Sequence, residues 1–250
     1  MTFTAPKSFF RVLNLIERTA AYVQGKGYGS ATIEQEVNLL HGFLGDRPKL
    51  AIDIGGNVGN YTAELRRKNP DLEIHTFEPS AGNVAKLSAR FKDDRLITLV
   101  PFALSDEAGS ATLFADRPGS GLGSLTKRRL DHFNIAFETT ETIKTVRFED
   151  YWREQLRSRP LDIVKIDVEG HELAALKGFG GALNATRVLQ FEFGGCNIDT
   201  RTYFQDFWYL FKHQKFAIYR FTPLGVEEMT QYKESDEFFS TTNYLAVSQR

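Results

Sequence analysis

The chain has 250 residues, with 31 Lys and Arg against 32 Asp and Glu and a formal net charge of −1. That balance argues against a dedicated nucleic-acid binder, which carries a basic excess. A hydrophobic share of 42% excludes a disordered chain, and the lone Cys196 excludes an internal disulfide or a cysteine-based zinc site.

In chain order, residues 7–24 place Phe10, Leu13, Ile16, Ala20 and Val23 at helical spacing, which predicts an amphipathic helix. Arg11, Asn14, Glu17 and Arg18 interrupt it, so it is neither a secretory apolar core nor a membrane span, for which about 20 apolar residues are needed. The reading is a cytoplasmic helix, with a membrane-surface helix as the alternative. Gly25, Gly27 and Gly29 break it, and Thr32 with Gln35 predicts a capping box opening a second helix over 32–44. Residues 1–47 are thus expected to form a helical extension beside a domain over 48–250.

From residue 48 strands and helices alternate, the pattern of a parallel sheet with crossover helices. Strands are expected at 49–54, 73–77, 96–102, 162–168 and 187–193, and helices at 61–68, 79–92, 149–157, 171–176 and 203–212. A short extra strand falls at 111–115 and another at 142–148. The Gly-rich, basic segment 117–132 reads as a mobile loop. Residues 216–221 and 244–247 predict an antiparallel closing pair.

The sharpest chemical signal is Asp53-Ile-Gly-Gly-Asn-Val-Gly59, a buried strand running into a glycine turn and a helix. In open α/β sheets ligands sit at such strand ends. The dinucleotide fingerprint G-x-G-x-x-G and the P-loop pattern are both missing. Instead Asp53 stands two residues before Gly55. A carboxylate there repels a pyrophosphate and welcomes a cation, which favours S-adenosylmethionine over a dinucleotide. Glu78 ends the second strand, where a ribose diol is held in nucleoside-binding α/β folds. Ser105 and Asp106 follow the third strand, placed to flank an adenine, and Asp167-Val-Glu-Gly-His171-Glu172 follows the fourth.

Together these segments resemble the FkbM-type methyltransferases, a class I S-adenosylmethionine-dependent family. The resemblance is carried by 53–59, by Phe77-Glu78-Pro79 with Asn83 and Leu87, by Ala103-Leu-Ser-Asp106 and by Leu161–Glu172. It implies a three-layer Rossmann-like sheet of seven strands, one of them antiparallel, and methyl transfer to a hydroxyl of a sugar or natural product. It does not extend clearly to 1–47 or to the loop 117–140, where acceptor choice is expected.

The cofactor residues expected are Asp53, Gly55, Asn57, Gly59, Glu78, Pro79, Asn83, Ser105, Asp106 and Asp167. Asp167, Glu169, His171 and Glu192 are the candidates for chemistry. A hydroxyl needs a base or a metal to become a good nucleophile, and His171 has the suitable pKa range. A Mg²⁺ ion between Asp167 and Glu192 is the alternative. Lys127-Arg-Arg129 reads as a solvated basic face, with a lid for an anionic or lipid-linked acceptor as the alternative. The aromatic cluster 203–211 reads as core, and a homodimer is left open.

Overall fold

The segments Leu50–Ile54 and Leu161–Ile166 are buried at every residue. Strands without polar alternation need helices on both faces, and both faces are covered here. The computed structural model describes residues 6–30, 32–45 and 47–250. Two helices come first, α1 (Lys7–Val23) and α2 (Ile33–His41). Then follow β1 (Leu50–Ile54), α3 (Asn60–Lys68), β2 (Glu73–Phe77), α4 (Ala81–Arg90) and β3 (Ile97–Val100). Three strands, β4 (Ala103–Leu104), β5 (Gly109–Ala115) and β6 (Thr139–Val146), interrupt the alternation. It resumes with α5 (Phe148–Glu154), β7 (Leu161–Ile166), α6 (Glu172–Lys177), β8 (Thr186–Phe193), α7 (Cys196–Thr200) and α8 (Phe204–His213). β9 (Phe216–Thr222), β10 (Gly225–Met229) and β11 (Thr242–Ser248) come last.

The main sheet runs β10-β9-β11-β8-β7-β1-β2-β3. The five strands from β8 to β3 are parallel, while β11 is antiparallel to both of its neighbours. This is the three-layer, Rossmann-like class I methyltransferase sheet that the resemblance implied. β10 adds an eighth strand, folded back on β9 as a hairpin. The two short strands expected at 111–115 and 142–148 do not join this sheet. They pair with each other as β5 and β6, and β4 adds in parallel to β6, giving a separate three-stranded sheet.

The aromatic excess is mostly core. Phe191 and Phe193 of β8 and Tyr244 of β11 meet Phe204, Phe207 and Phe211 of α8. Phe191 stacks on Phe207 at 5.1 Å and on Tyr244 at 5.3 Å between ring centroids, offset pairings that add to area burial.

The opposite face is covered by α2 and α3. Val37, Leu40 and Leu44 are buried against Ala51, Tyr61, Leu65, Ile163 and Val188. α2 is therefore one of the domain's covering helices, and only α1 stands off. The expected capping box is absent. Thr32 instead bonds the Glu36 carboxylate, and Gln35 accepts from the Tyr28 hydroxyl. Glu36 is buried and is drawn toward the sheet.

What draws it is a polar row across that face. Thr76, Asp53, Lys165 and Gln190 are neighbours in register on β2, β1, β7 and β8. The Thr62 hydroxyl donates to Asp53 Oδ2 at 2.6 Å. Lys165 Nζ donates to Asp167 Oδ2 at 2.9 Å and lies 4.9 Å from the Tyr61 ring centroid. Tyr61 donates to Gln190 Oε1 at 2.8 Å, and Gln190 Nε2 donates to Glu36 Oε2 at 2.7 Å. Asn243 Nδ2 completes the set by donating to Glu36 Oε1 at 2.7 Å. Buried charges persist only when partnered in this way.

Candidate active site

At the carboxyl end of β1 the chain turns at once. Gly55 has φ +82°, and a Cβ there would stand 1.8 Å from the carbonyl oxygen of Asp167. Glycine alone lets the exits of β1 and β7 lie side by side. The Gly55 and Gly56 N–H groups both donate to the Phe77 carbonyl, at 3.0 and 2.9 Å. The Asn57 N–H donates to Glu78 Oε2 at 2.8 Å, and the Ser80 N–H to Glu78 Oε1 at 3.0 Å. The turn after β1 thereby fixes the carboxylate that ends β2. Burial raises the pKa of Glu78, and the donors from Ser80, Asn57 and Asn83 oppose that shift.

These exits form one side of a cleft of about 790 Å³, counting the part open to solvent. Val168, Glu169 and His171 extend that side beyond β7. The facing wall comes from the second sheet and from the segment that joins β5 to β6, through Leu104, Leu113, Gly119, Gly121, Leu125 and Glu141. Four carboxylates (Glu78, Glu141, Asp167, Glu169) face the space, against one arginine, Arg117 at the exposed rim.

The segment expected as a mobile basic loop is tied down. Ser124 and Phe114 exchange backbone hydrogen bonds at 2.8 and 2.9 Å, and the Ser124 hydroxyl donates to the Glu169 carbonyl at 2.7 Å. Arg128 is largely buried and pairs with Glu169 at 2.5 Å and Asp199 at 3.7 Å. Lys127 pairs with Glu138. The run 127–129 is thus not one free cationic face.

Of the residues expected at the cofactor, Gly55, Asn57, Glu78, Pro79 and Asp167 line the cleft. Asp53 does not. Its side chain is fully buried in the polar row under α3, with Oδ1 unpartnered, and burial raises its pKa while Lys165 and Thr62 pull it down. Strand parity explains this, because Asp53 shares the face of Ala51. Gly59 also lies behind the wall. It caps α3 with φ +82°, and a Cβ there would come within 2.5 Å of the Phe91 ring. Asn83 is buried behind Glu78, and Ser105 and Asp106 stand behind His171 rather than in the cleft.

Among the residues expected to do chemistry, Asp167, Glu169 and His171 line the cleft, while Glu192 does not. Glu192 is half-buried on β8, where burial together with Asp167, Glu169 and Glu172 raises its pKa well above the usual range. Burial and Asp167 push Glu169 up to about 8, against the pull of Arg128. Among the described residues, no group of three or more His, Cys, Asp or Glu is arranged to hold a metal ion. The Asp167–Glu192 pair therefore gains no further ligand of these types for Mg²⁺.

Burial lowers the pKa of His171, with Asp106 opposing, which favours the neutral ring. The Ser105 hydroxyl donates to Asp106 Oδ1 at 3.0 Å and also meets His171 Nε2 at 3.0 Å. A hydroxyl has one proton to give. With that proton given to Asp106, Nε2 is assigned as the N–H of the imidazole and Nδ1 as its free base.

Missed in the sequence was the apolar wall of Leu104, Leu113 and Leu125, together with Glu141, whose Oε1 accepts from the Ala81 N–H at 2.8 Å and pins the second sheet to α4. The alternation of β5 was its only signal.

A mostly parallel sheet with an acidic cleft at its carboxyl edge is the arrangement of a nucleoside- or nucleotide-binding α/β domain. The sequence model of the methyltransferase FkbM domain matches residues 53–227, and the chain belongs to that family. It is 28% identical over 135 residues to the hexuronic acid methyltransferase AglP of Haloferax volcanii, covering 53% of this chain and 51% of that one. It is 30% identical over 152 residues to methyltransferase sdnD of Sordaria araneosa, covering 51% and 59%. The match thus spans about half the length of these curated relatives. An O-methyltransferase structure from Bacillus cereus aligns over 99% of this chain and 94% of its own, at 15% identity and a TM-score of 0.44.

Proposed function

We propose that this chain binds S-adenosylmethionine in the cleft and transfers its methyl group to a hydroxyl of a sugar or natural-product acceptor. The observation that carries the reading is the Glu78 carboxylate, held by two backbone N–H groups at the end of β2 in a cleft with four carboxylates and one rim arginine. That set of acceptors fits a ribose diol and a cationic, phosphate-free nucleoside. Phe77, Phe102 and Leu104 offer an apolar bed for a base nearby. Bound S-adenosylmethionine supplies an electrophilic methyl carbon on a positively charged sulfur.

The chain's own part is positioning, charge and proton removal. Asp167, steered by Lys165, gives the β7 exit a negative potential suited to a sulfonium. An acceptor oxygen must lose its proton as it takes the methyl group. His171 Nδ1 is the neutral nitrogen suited to receive it. In-line transfer otherwise depends on holding the acceptor close to the methyl carbon. A sugar-type acceptor is favoured because one relative is named for a hexuronic acid.

The test is S-adenosylhomocysteine release across a panel of hydroxylated sugars and natural products, with cofactor affinity measured by calorimetry. Glu78→Gln should weaken cofactor binding on the order of 10- to 100-fold, the loss expected for a hydrogen bond to a charged group. Unchanged affinity would remove Glu78 from the site. Tight cofactor binding with no turnover of any hydroxylated acceptor would sink the O-directed reading.

A further inference from the structure

α1 carries two stripes. Phe9, Leu13, Ile16, Ala20 and Val23 follow one another at i+3 and i+4 spacing, and Lys7, Arg11, Asn14, Arg18 and Ala21 do the same on the other side. Ala21 is the single buried residue of the helix among those described. The helix thus touches the body at the end of its basic stripe and turns its apolar stripe outward. Phe9 is 52% exposed, Ile16 59% and the flanking Leu15 67%. Contiguous apolar exposure of this kind marks an interaction surface.

We infer that α1 is a docking helix for an anionic lipid surface. Charge selects the occupant, since the helix carries Lys7, Arg11 and Arg18 against one acid, Glu17. Breadth supports it. Six of the eight residues from Phe9 to Ile16 are apolar, and they spread over more than half of the helix circumference. A second helix would cover only the narrow seam of a pair and leave the rest wet. A helix lying in the headgroup plane buries its whole apolar side, while long basic side chains reach back to the phosphates. No helix among the described residues is long and apolar enough to cross a membrane, so the contact is with the surface.

The root of α1 is firm. The Gly27 N–H donates to Thr242 Oγ1 at 2.9 Å, Lys26 Nζ donates to the Ser235 carbonyl at 2.9 Å, and a Cβ at Gly25 would lie 2.1 Å from the Phe221 carbonyl oxygen. Thr242 pairs with Phe193, the last residue of β8. The helix therefore springs from the carboxyl edge of the sheet, the edge on which the cleft opens.

The test is flotation of the full chain with vesicles of phosphatidylcholine alone and of an equimolar mixture with phosphatidylglycerol. The chain should float with the mixed vesicles, bind phosphatidylcholine more weakly, and be released as salt is raised. Leu13→Asp with Ile16→Asp should lower binding to mixed vesicles about tenfold or more. Arg11→Glu with Arg18→Glu should lower it by about the same factor while sparing the weak binding to phosphatidylcholine. All four side chains lie outside the core, and an unchanged thermal transition would verify folding. Failure of the full chain to float with mixed vesicles, or equal flotation of the Leu13/Ile16 variant, overturns the inference. So does sedimentation showing a dimer that Leu13→Asp splits, since a second copy would then cover the stripe.

Discussion

Replacing Lys165 by methionine keeps the length of the side chain and removes its charge. Lys165 is buried, and burial alone would lower its pKa, but the Asp167 and Asp53 carboxylates outweigh that and raise it. Without it, Asp167 loses its 2.9 Å ion pair and fully buried Asp53, with Oδ1 unpartnered, loses the cation opposing its desolvation. Breaking one side of a fully buried pair costs about 3–5 kcal/mol, but Asp167 is 33% exposed and regains water, so the loss here is about 2–4 kcal/mol. In a chain of this size each kcal/mol lowers Tm by about 2–4 °C, so the expected fall is about 4–16 °C. Urea denaturation followed by circular dichroism should show a lower midpoint at unchanged slope. Adding Asp53→Asn to Lys165→Met should recover part of the loss, because the orphaned charge is removed with its partner. A loss below about 1 kcal/mol, or two substitutions that simply add, would refute an electrostatically connected row.

Gly59→Ala should destabilise the fold by about 2–4 kcal/mol, combining a left-handed backbone with a methyl forced against Phe91 and Leu87. Folded Gly59→Ala protein should still bind cofactor normally by calorimetry, and a specific loss of affinity would return Gly59 to the cleft wall. Glu172 is fully buried, accepts from the Val168 and Gly170 N–H groups, and is pushed up to about 7 by burial. Its folded pKa lies above its ordinary value of 4.5, so its protonated form stabilises the fold below about pH 4.5 and that contribution is lost as pH rises through about 7. Glu172→Gln should therefore flatten the fall of Tm between about pH 4.5 and 7, and parallel curves for the two proteins in a thermal-shift series would count against this.

Much of the domain is readable from local pattern. The apolar runs of β1, β7 and β8 and the helices between them have the period and the stops that parallel sheets require. That Gly55, Asn57 and Glu78 line the cleft is legible because clefts in such sheets lie at strand ends whatever the remainder of the fold. The other site residues show where such reading stops. A residue's place near a strand end does not say which face it takes, so Asp53 belongs to the polar row and Ser105 supports His171 from behind. The second cleft wall was harder still. β4 has two residues and finds β6 only across the intervening hairpin, so nothing local announces it. Arg128 reads as solvated in the run 127–129, and only tertiary placement reveals its pairing with Glu169 and Asp199.

β11 lies between β8 and β9, yet the ribosome makes it after both. Until residues 242–248 emerge, the growing chain has an open slot in its sheet, with Phe191 and Phe193 beside an unpaired edge. Glu36 waits as long, because its partner Asn243 follows 207 residues later. Contacts so distant in sequence make for slow closure, so this half of the domain completes itself only when synthesis has passed β11. A nascent chain stalled before Thr242 would offer β8 as a template for foreign strands, which makes such truncated products natural clients for chaperones and proteases.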